Sequence, residues 1–249
     1  MLMNRSSHPA CVFEFLGLSG AGKTTLQRLV LEILANQYDR VHGREDLRRW
    51  LRETPKYQKA TISALNFHIS APRMLTFAQY AVSMRPRMPT RLSMALKLTQ
   101  YPLYLREFIR RRKTEVLVLD EWGVQWLWAI GIGRTIHGDS ALKRALMAYT
   151  RACPATTYVH VAVSAEEAAS RIVSRVGENT IFDGHPIETV LPLLKQSERG
   201  MGLLADAIEE CGQRVLRIDA TDDPMSNASK IATFALTTNE EALFYGVSK

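Results

Sequence analysis

One short pattern near the start does most to limit how this chain can fold. Residues Gly17 to Thr24 read GLSGAGKT and fit the spacing G-x-x-x-x-G-K-[ST]. Glycines at these places let backbone N–H groups turn inward around phosphates. The lysine reaches the β- and γ-phosphates, and the threonine hydroxyl ligates Mg²⁺. Such a loop works only between a strand and a helix, so that the helix N-terminus faces the anion. Both flanks are present. CVFEFLGL, from Cys11 to Leu18, is a short apolar, β-prone run. After it, KTTLQRLVLEILANQ sets Leu26, Leu29, Val30, Ile33 and Leu34 at helical spacing. Gly17, Ser19, Gly20, Ala21, Gly22, Lys23, Thr24 and Thr25 are therefore the candidate contacts to a nucleotide's phosphates.

The rest of the chain alternates between strand and helix patterns. YDRVHG is a weak second strand, and from Asp46 to about Lys113 there are only helical patterns punctuated by Pro72, Pro86, Pro89 and Pro102. In EVLVLDEW, four apolar residues (Val116 to Leu119) read as a buried parallel strand ending in two carboxylates. A helical segment over 140–151 leads into the strand TTYVHVAV, and Ser164 and Glu167 stand in capping-box spacing, so a helix starts there. A loop precedes a long helical stretch over about 187–211. RVLRIDA is the last strand, and a helix follows with Asp222, Asp223 and Pro224 near its start.

Alternation of this kind predicts an α/β fold, a three-layer sandwich around a parallel sheet, as one domain over 1–249. Residues 46–113 are then a helical insert before the strand at 116, and 164–186 a candidate lid. Ligands of such sheets bind at the carboxyl ends of the strands, so the insert emerges on the same side as the glycine loop.

Composition narrows the partners. The chain is 46% hydrophobic and 23% charged, as soluble globular proteins are. No apolar run approaches the roughly 20 residues needed to span a bilayer. The opening MLMNRSSHPA lacks a secretory core, and three dispersed cysteines suggest neither a disulfide framework nor a zinc site, which together point to the cytoplasm. The net charge of +7 is unevenly spread: residues 40–113 hold 17 basic and four acidic residues, a net of +13 against −6 elsewhere. That block suits an anionic partner, whether a phosphorylated acceptor, a nucleic acid or an acidic membrane surface. Solvated helix faces are the plainer alternative.

Asp120, at the end of its apolar strand, is the candidate Mg²⁺ carboxylate alongside Thr24. Glu121 can be read as a water activator, as the base that takes an acceptor's proton, or as a group that orients the acceptor. No [NT]-K-x-D motif is present, which argues against a GTPase. Arg171 and Arg175 stand i, i+4 and share a helix face, where they could clamp a transferring phosphoryl group; the alternative pairs Arg171 with Glu167. No histidine pair has metal-ligand spacing.

The order of GLSGAGKTT, LVLDEW, SAEEAASRIVSR and RVLRIDA resembles the thymidylate-kinase-like group of P-loop kinases. The loop alone also resembles that of adenylylsulfate kinases, whose acidic motif after the second strand is missing. In the thymidylate kinases an Asp-Arg pair follows the Walker B strand, whereas here Asp120 is followed by Glu121 and Trp122. That departure counts against a nucleotide acceptor. LNFHISAPRML resembles the helix that carries an acceptor-phosphate arginine, which implies acceptor roles for Arg73 and for Arg44, and the late loop at Asp219 and Ala220 would lie near the adenine. Trp122, Trp126 and Trp128 could stack a sugar or base, or simply pack.

The expected activity is an ATP- and Mg²⁺-dependent kinase. It would transfer the γ-phosphoryl group to an anionic small molecule, a sugar or a glycolipid held by the basic insert. Lys23, Asp120, Glu121, Arg171 and Arg175 would be catalytic, and Arg44, Arg73 and Trp122 would bind the acceptor. A nucleoside monophosphate or nucleic-acid kinase, and a nucleotide-switched binding protein, are the alternatives.

Overall fold

The computed structural model describes residues 10–65, 72, 75–77, 80, 88–130, 140–174 and 185–244. Strand β1 (Cys11–Gly17) runs into helix α1 (Lys23–Ala35), and the chain returns through β2 (Val41–Gly43). Helices α2 (Arg44–Glu53), α3 (Lys56–Leu65) and α4 (Met88–Arg112) precede β3 (Val116–Leu119). Then come α5 (Gly123–Ile130), α6 (Ser140–Ala152), β4 (Thr156–Ala162), α7 (Ala165–Val173), α8 (Ile187–Glu210), β5 (Arg214–Asp219) and α9 (Pro224–Phe244).

The strands form one five-stranded sheet in the order β2-β3-β1-β4-β5, parallel throughout. Successive strand residues face opposite sides, yet Val116, Leu117, Val118 and Leu119 are all buried, so helices cover both faces. Val12, Leu117 and Leu119 pack with Leu47, Trp50, Tyr104 and Phe108 from the insert. Phe13, Phe15, Val116 and Val118 belong to the larger cluster that includes α1 and α9. This is the layering a three-layer sandwich requires. Arg40 pins the start of β2 to β3: its backbone N–H and its guanidinium donate to the Glu115 carboxylate at 3.1 and 3.0 Å.

The expected α/β alternation is present, with two differences. Helix α4 runs through Pro102, which is buried within it, because tertiary packing on this segment outweighs the local cost of proline. A helix also starts directly after β3, where the sequence suggested only an aromatic cluster. Its start is held by Glu14 of β1, whose Oε1 accepts the Val124 N–H at 2.7 Å. Among the described residues no helix is long and apolar enough to cross a membrane.

Glu14 is a carboxyl group fully inside the protein, and burial pushes its pKa up from 4.5 to about 8 against the lowering effect of the Val124 and Gln125 N–H groups. Its folded-state value lies above the unfolded one. The stability it contributes is therefore complete below about pH 4.5 and is lost as the pH rises through about 8. Glu14→Gln keeps an acceptor for Val124 and removes the titration. It is expected to match the wild type near pH 5 and to exceed it by roughly 1–3 kcal/mol near pH 8.5 in urea unfolding. Equal pH dependence in both proteins would refute the assignment.

Candidate functional site

The loop between β1 and α1 is shaped by three glycines. Gly20 and Gly22 adopt φ of +87° and +83°, a region that side chains with a Cβ rarely enter. A Cβ on Gly20 would lie 2.6 Å from the Ala168 carbonyl oxygen, so α7 presses on the loop from behind. Gly22 is the N-cap of the 13-residue α1 and, having no side chain, supplies no side-chain cap to it. A helix end of this kind suits an anion.

The sheet order brings a second element to the same place. β1 sends its connection through α1 towards β2, while β3 sends its connection past β1 to β4. Neighbouring strands whose connections part in this way leave a crevice beyond their carboxyl ends. Asp120 emerges there from β3, and its Oδ2 accepts a hydrogen bond from Thr24 Oγ1 at 3.0 Å. Its Oδ1 accepts from Arg44, the first residue of α2, at 2.7 Å in an ion pair only 17% and 7% exposed. Lys23 is buried and folds back on the loop, with Nζ donating to the Gly17 and Leu18 carbonyls at 2.9 and 2.7 Å. The same ammonium pairs with Glu121 at 3.3 Å, and that carboxylate is 40% exposed. These groups line a cavity of about 590 Å³ together with Ser19, Gly20, Gly22 and Thr25.

A smaller cavity of about 420 Å³ opens on the other side of the loop, between Gly20–Thr25 and the turn after β5. Arg171 lines this second cavity. Its Nε donates to Glu167 at 2.9 Å and its terminal nitrogen to the Ala220 carbonyl at 3.0 Å. Thus the Arg171–Glu167 pair forms, and the arginine lies beside the late loop, not among the groups around Asp120. The helix start is as expected: Ser164 Oγ accepts the Glu167 N–H at 3.2 Å.

The remaining expected residues divide three ways. Arg73 and Arg175 lie outside the described residues, as does the side chain of Trp128. Trp122 is buried in the core cluster against the insert, its ring 4.7 Å from that of Tyr101, and does not line either cavity. Asp219 turns its carboxylate onto Thr221, accepting from both the N–H and the hydroxyl, so its neighbours Ala220, Thr221 and Asp222 line the smaller cavity instead.

Two polar side chains went unrecognised in the sequence. Gln27 donates to the Val118 carbonyl at 2.7 Å, tying α1 to β3, and Gln125 donates to the Gly17 carbonyl at 3.1 Å, tying α5 to the loop. Gln27 carried a signal, being a polar residue one position after Leu26 and three before Val30 on the inward side of α1.

Thr24 and Asp120 offer one hydroxyl and one carboxylate. Among the described residues no group of three or more His, Cys, Asp or Glu could cage an ion. Such a sparse set fits Mg²⁺, which keeps several waters and is held by one or two protein oxygens plus substrate phosphates.

The two glycines at φ near +85° separate two causes of strain. Nothing lies within 4 Å of a Cβ at Gly22, so Gly22→Ala should cost only the left-handed backbone, about 1–2 kcal/mol. Gly20→Ala adds the collision with Ala168 and should cost about 3 kcal/mol or more in urea unfolding. Equal costs at both positions would contradict the packing of α7 on the loop. No family model matches the chain and no curated protein does, so what the site does has to be read from its own chemistry.

Proposed function

We propose that this chain is an ATP- and Mg²⁺-dependent kinase of the P-loop type, akin to the thymidylate-kinase-like group, acting on a non-nucleotide acceptor such as a sugar or glycolipid. The observation that carries the reading is the 3.0 Å contact of Thr24 with Asp120, made between the first turn of α1 and the end of β3 where the glycine loop opens. A hydroxyl from the first turn of α1 and a carboxylate from the end of β3 meet beside a helix N-terminus, and these are the parts phosphoryl transfer needs.

In this reading the loop N–H groups and Lys23 hold the β- and γ-phosphates. An incoming phosphate competes with Glu121 for the Lys23 ammonium. The Glu121 carboxylate, released at the cavity mouth, is then placed to accept the proton of an acceptor hydroxyl. Thr24 and Asp120 would hold Mg²⁺, which neutralises charge on the phosphates and orients them. The smaller cavity would take the base and ribose of the nucleotide, with Arg171 laid along it. Arg171 therefore binds the donor in this reading, and its part in transfer is indirect. The insert, which follows Arg44 along α2 and so enters beside the site, would hold the acceptor. Glu121, standing where the thymidylate kinases have arginine, favours an acceptor without a nucleotide's phosphate.

The test is ATP turnover with Mg²⁺, alone and against separate pools of nucleotides, sugars, phosphosugars, glycolipids and oligonucleotides. Turnover should appear with one non-nucleotide pool, and Lys23→Ala and Asp120→Asn should each lower it by roughly 10²–10³-fold. Equal slow hydrolysis in every pool would sink the kinase reading and favour a nucleotide-switched binding protein. Turnover confined to the nucleotide or oligonucleotide pool would overturn the acceptor class.

A further inference from the structure

Arg44 makes the shortest polar contact to the one buried carboxylate of the larger cavity, and that contact bears on the metal. Asp120 has both oxygens engaged, Oδ2 by Thr24 at 3.0 Å and Oδ1 by Arg44 at 2.7 Å. The two partners are not equivalent. The Thr24 hydroxyl can give its proton to Asp120 while its oxygen lone pairs face an ion. A guanidinium cation has no lone pair to offer and repels a dication brought to the same carboxylate.

Building on the metal-dependent reading above, we propose that Arg44 and a divalent cation are alternative partners of Asp120, so that Arg44 sets the metal affinity of the site. Two further features suit a partner that must leave. Arg44 Nε is buried with no hydrogen-bond partner, so the guanidinium is not fully satisfied where it lies. The residue also opens α2, where the helix dipole disfavours a cation. Asp120 holds it there against both.

The test is the Mg²⁺ dependence of binding of a fluorescent ADP analogue, read as the Mg²⁺ concentration at half-saturation. Arg44→Met should lower that concentration roughly tenfold, as loss of a close charge-assisted competitor predicts. Arg44→Gln serves as a second variant, and thermal melting checks that each variant is folded. Arg48→Met removes the same charge one turn further along α2, where Arg48 pairs with Glu45 at 2.8 Å and does not touch Asp120. It should shift the midpoint by less than about twofold, since a solvated charge acts only through a screened field. In an Asp120→Asn background the effect of Arg44→Met should disappear.

An unchanged or higher midpoint in both Arg44 variants would overturn the proposal. So would an Arg48→Met shift as large as that of Arg44→Met, because it would reduce the effect to net charge. If the analogue failed to bind the wild type at any Mg²⁺ concentration, the nucleotide reading itself would fall, and the proposal with it.

Discussion

The parallel pairing of β1 with β3 is the constraint on which the site depends. Cys11 faces Val116 and Glu14 faces Leu119, so Asp120 leaves the sheet one residue beyond the last pair, while β1 continues to Gly17. Side chains alternate along a strand. A slip of one residue would turn Asp120 to the opposite face and send a leucine towards Thr24. The slip is resisted by Arg40, which locks the approach to β3 through Glu115, and by the close packing of the four alternating Val and Leu side chains of β3 against both helical layers. The hydrophobic core thus fixes the position of a polar contact to which it contributes no atoms.

The charges at the site are arranged in matched pairs. Lys23 with Glu121 and Arg44 with Asp120 set two cations against two carboxylates within one crevice. Pairs of this sort, one nearly buried and one open to water at its carboxylate, add little net stability, since desolvation and solvent screening offset most of their attraction. Their consequence is that neither cation stands ready for a ligand without leaving an acid behind. An anion that draws Lys23 exposes Glu121, and whatever draws Arg44 exposes Asp120, so ligand binding and the state of the two acids are coupled by contact. The backbone supplies what the side chains withhold, because the N–H groups at the start of α1 carry no side-chain cap.

The sequence made the local parts of this arrangement legible and the distant ones obscure. Strand, glycine loop and helix could be read at Cys11–Ala35 because their chemistry lies within a few neighbours. The helix start at Ser164 was readable for the same reason. Arg171 was harder. Its spacing from Glu167 is local, but the Ala220 carbonyl that fixes its direction lies 49 residues away and arrives only because β5 pairs with β4. Glu14 and Gln125 were overlooked because their partners are 110 and 108 residues distant. In CVFEFLGL the glutamate was an anomaly in an apolar run, and only the start of α5 explains it. Trp122 shows the converse: an aromatic beside two site acids looks like a ligand platform until Tyr101 and the insert close over it.

In the proposed reading, the basic block over 40–113 acts at two ranges, and only one of them discriminates between ligands. Arg44 reaches Asp120. Further along α2, a helix roughly 15 Å long, Arg48 pairs with Glu45, and in the last turns of α4 Arg110 and Arg111 share Glu107, which they hold down to a pKa of about 2. Arg49, Arg52, Lys56, Arg106, Arg112 and Lys113 are exposed. Charges in water are screened beyond about 8–10 Å, so in that reading these exposed residues raise the local concentration of anions without telling one acceptor from another. Recognition of the proposed acceptor then falls to groups that touch it. In the proposed reading, the net of +13 in this block describes how anions reach the protein, while Arg44, Glu121 and the walls of the crevice decide which of them stays.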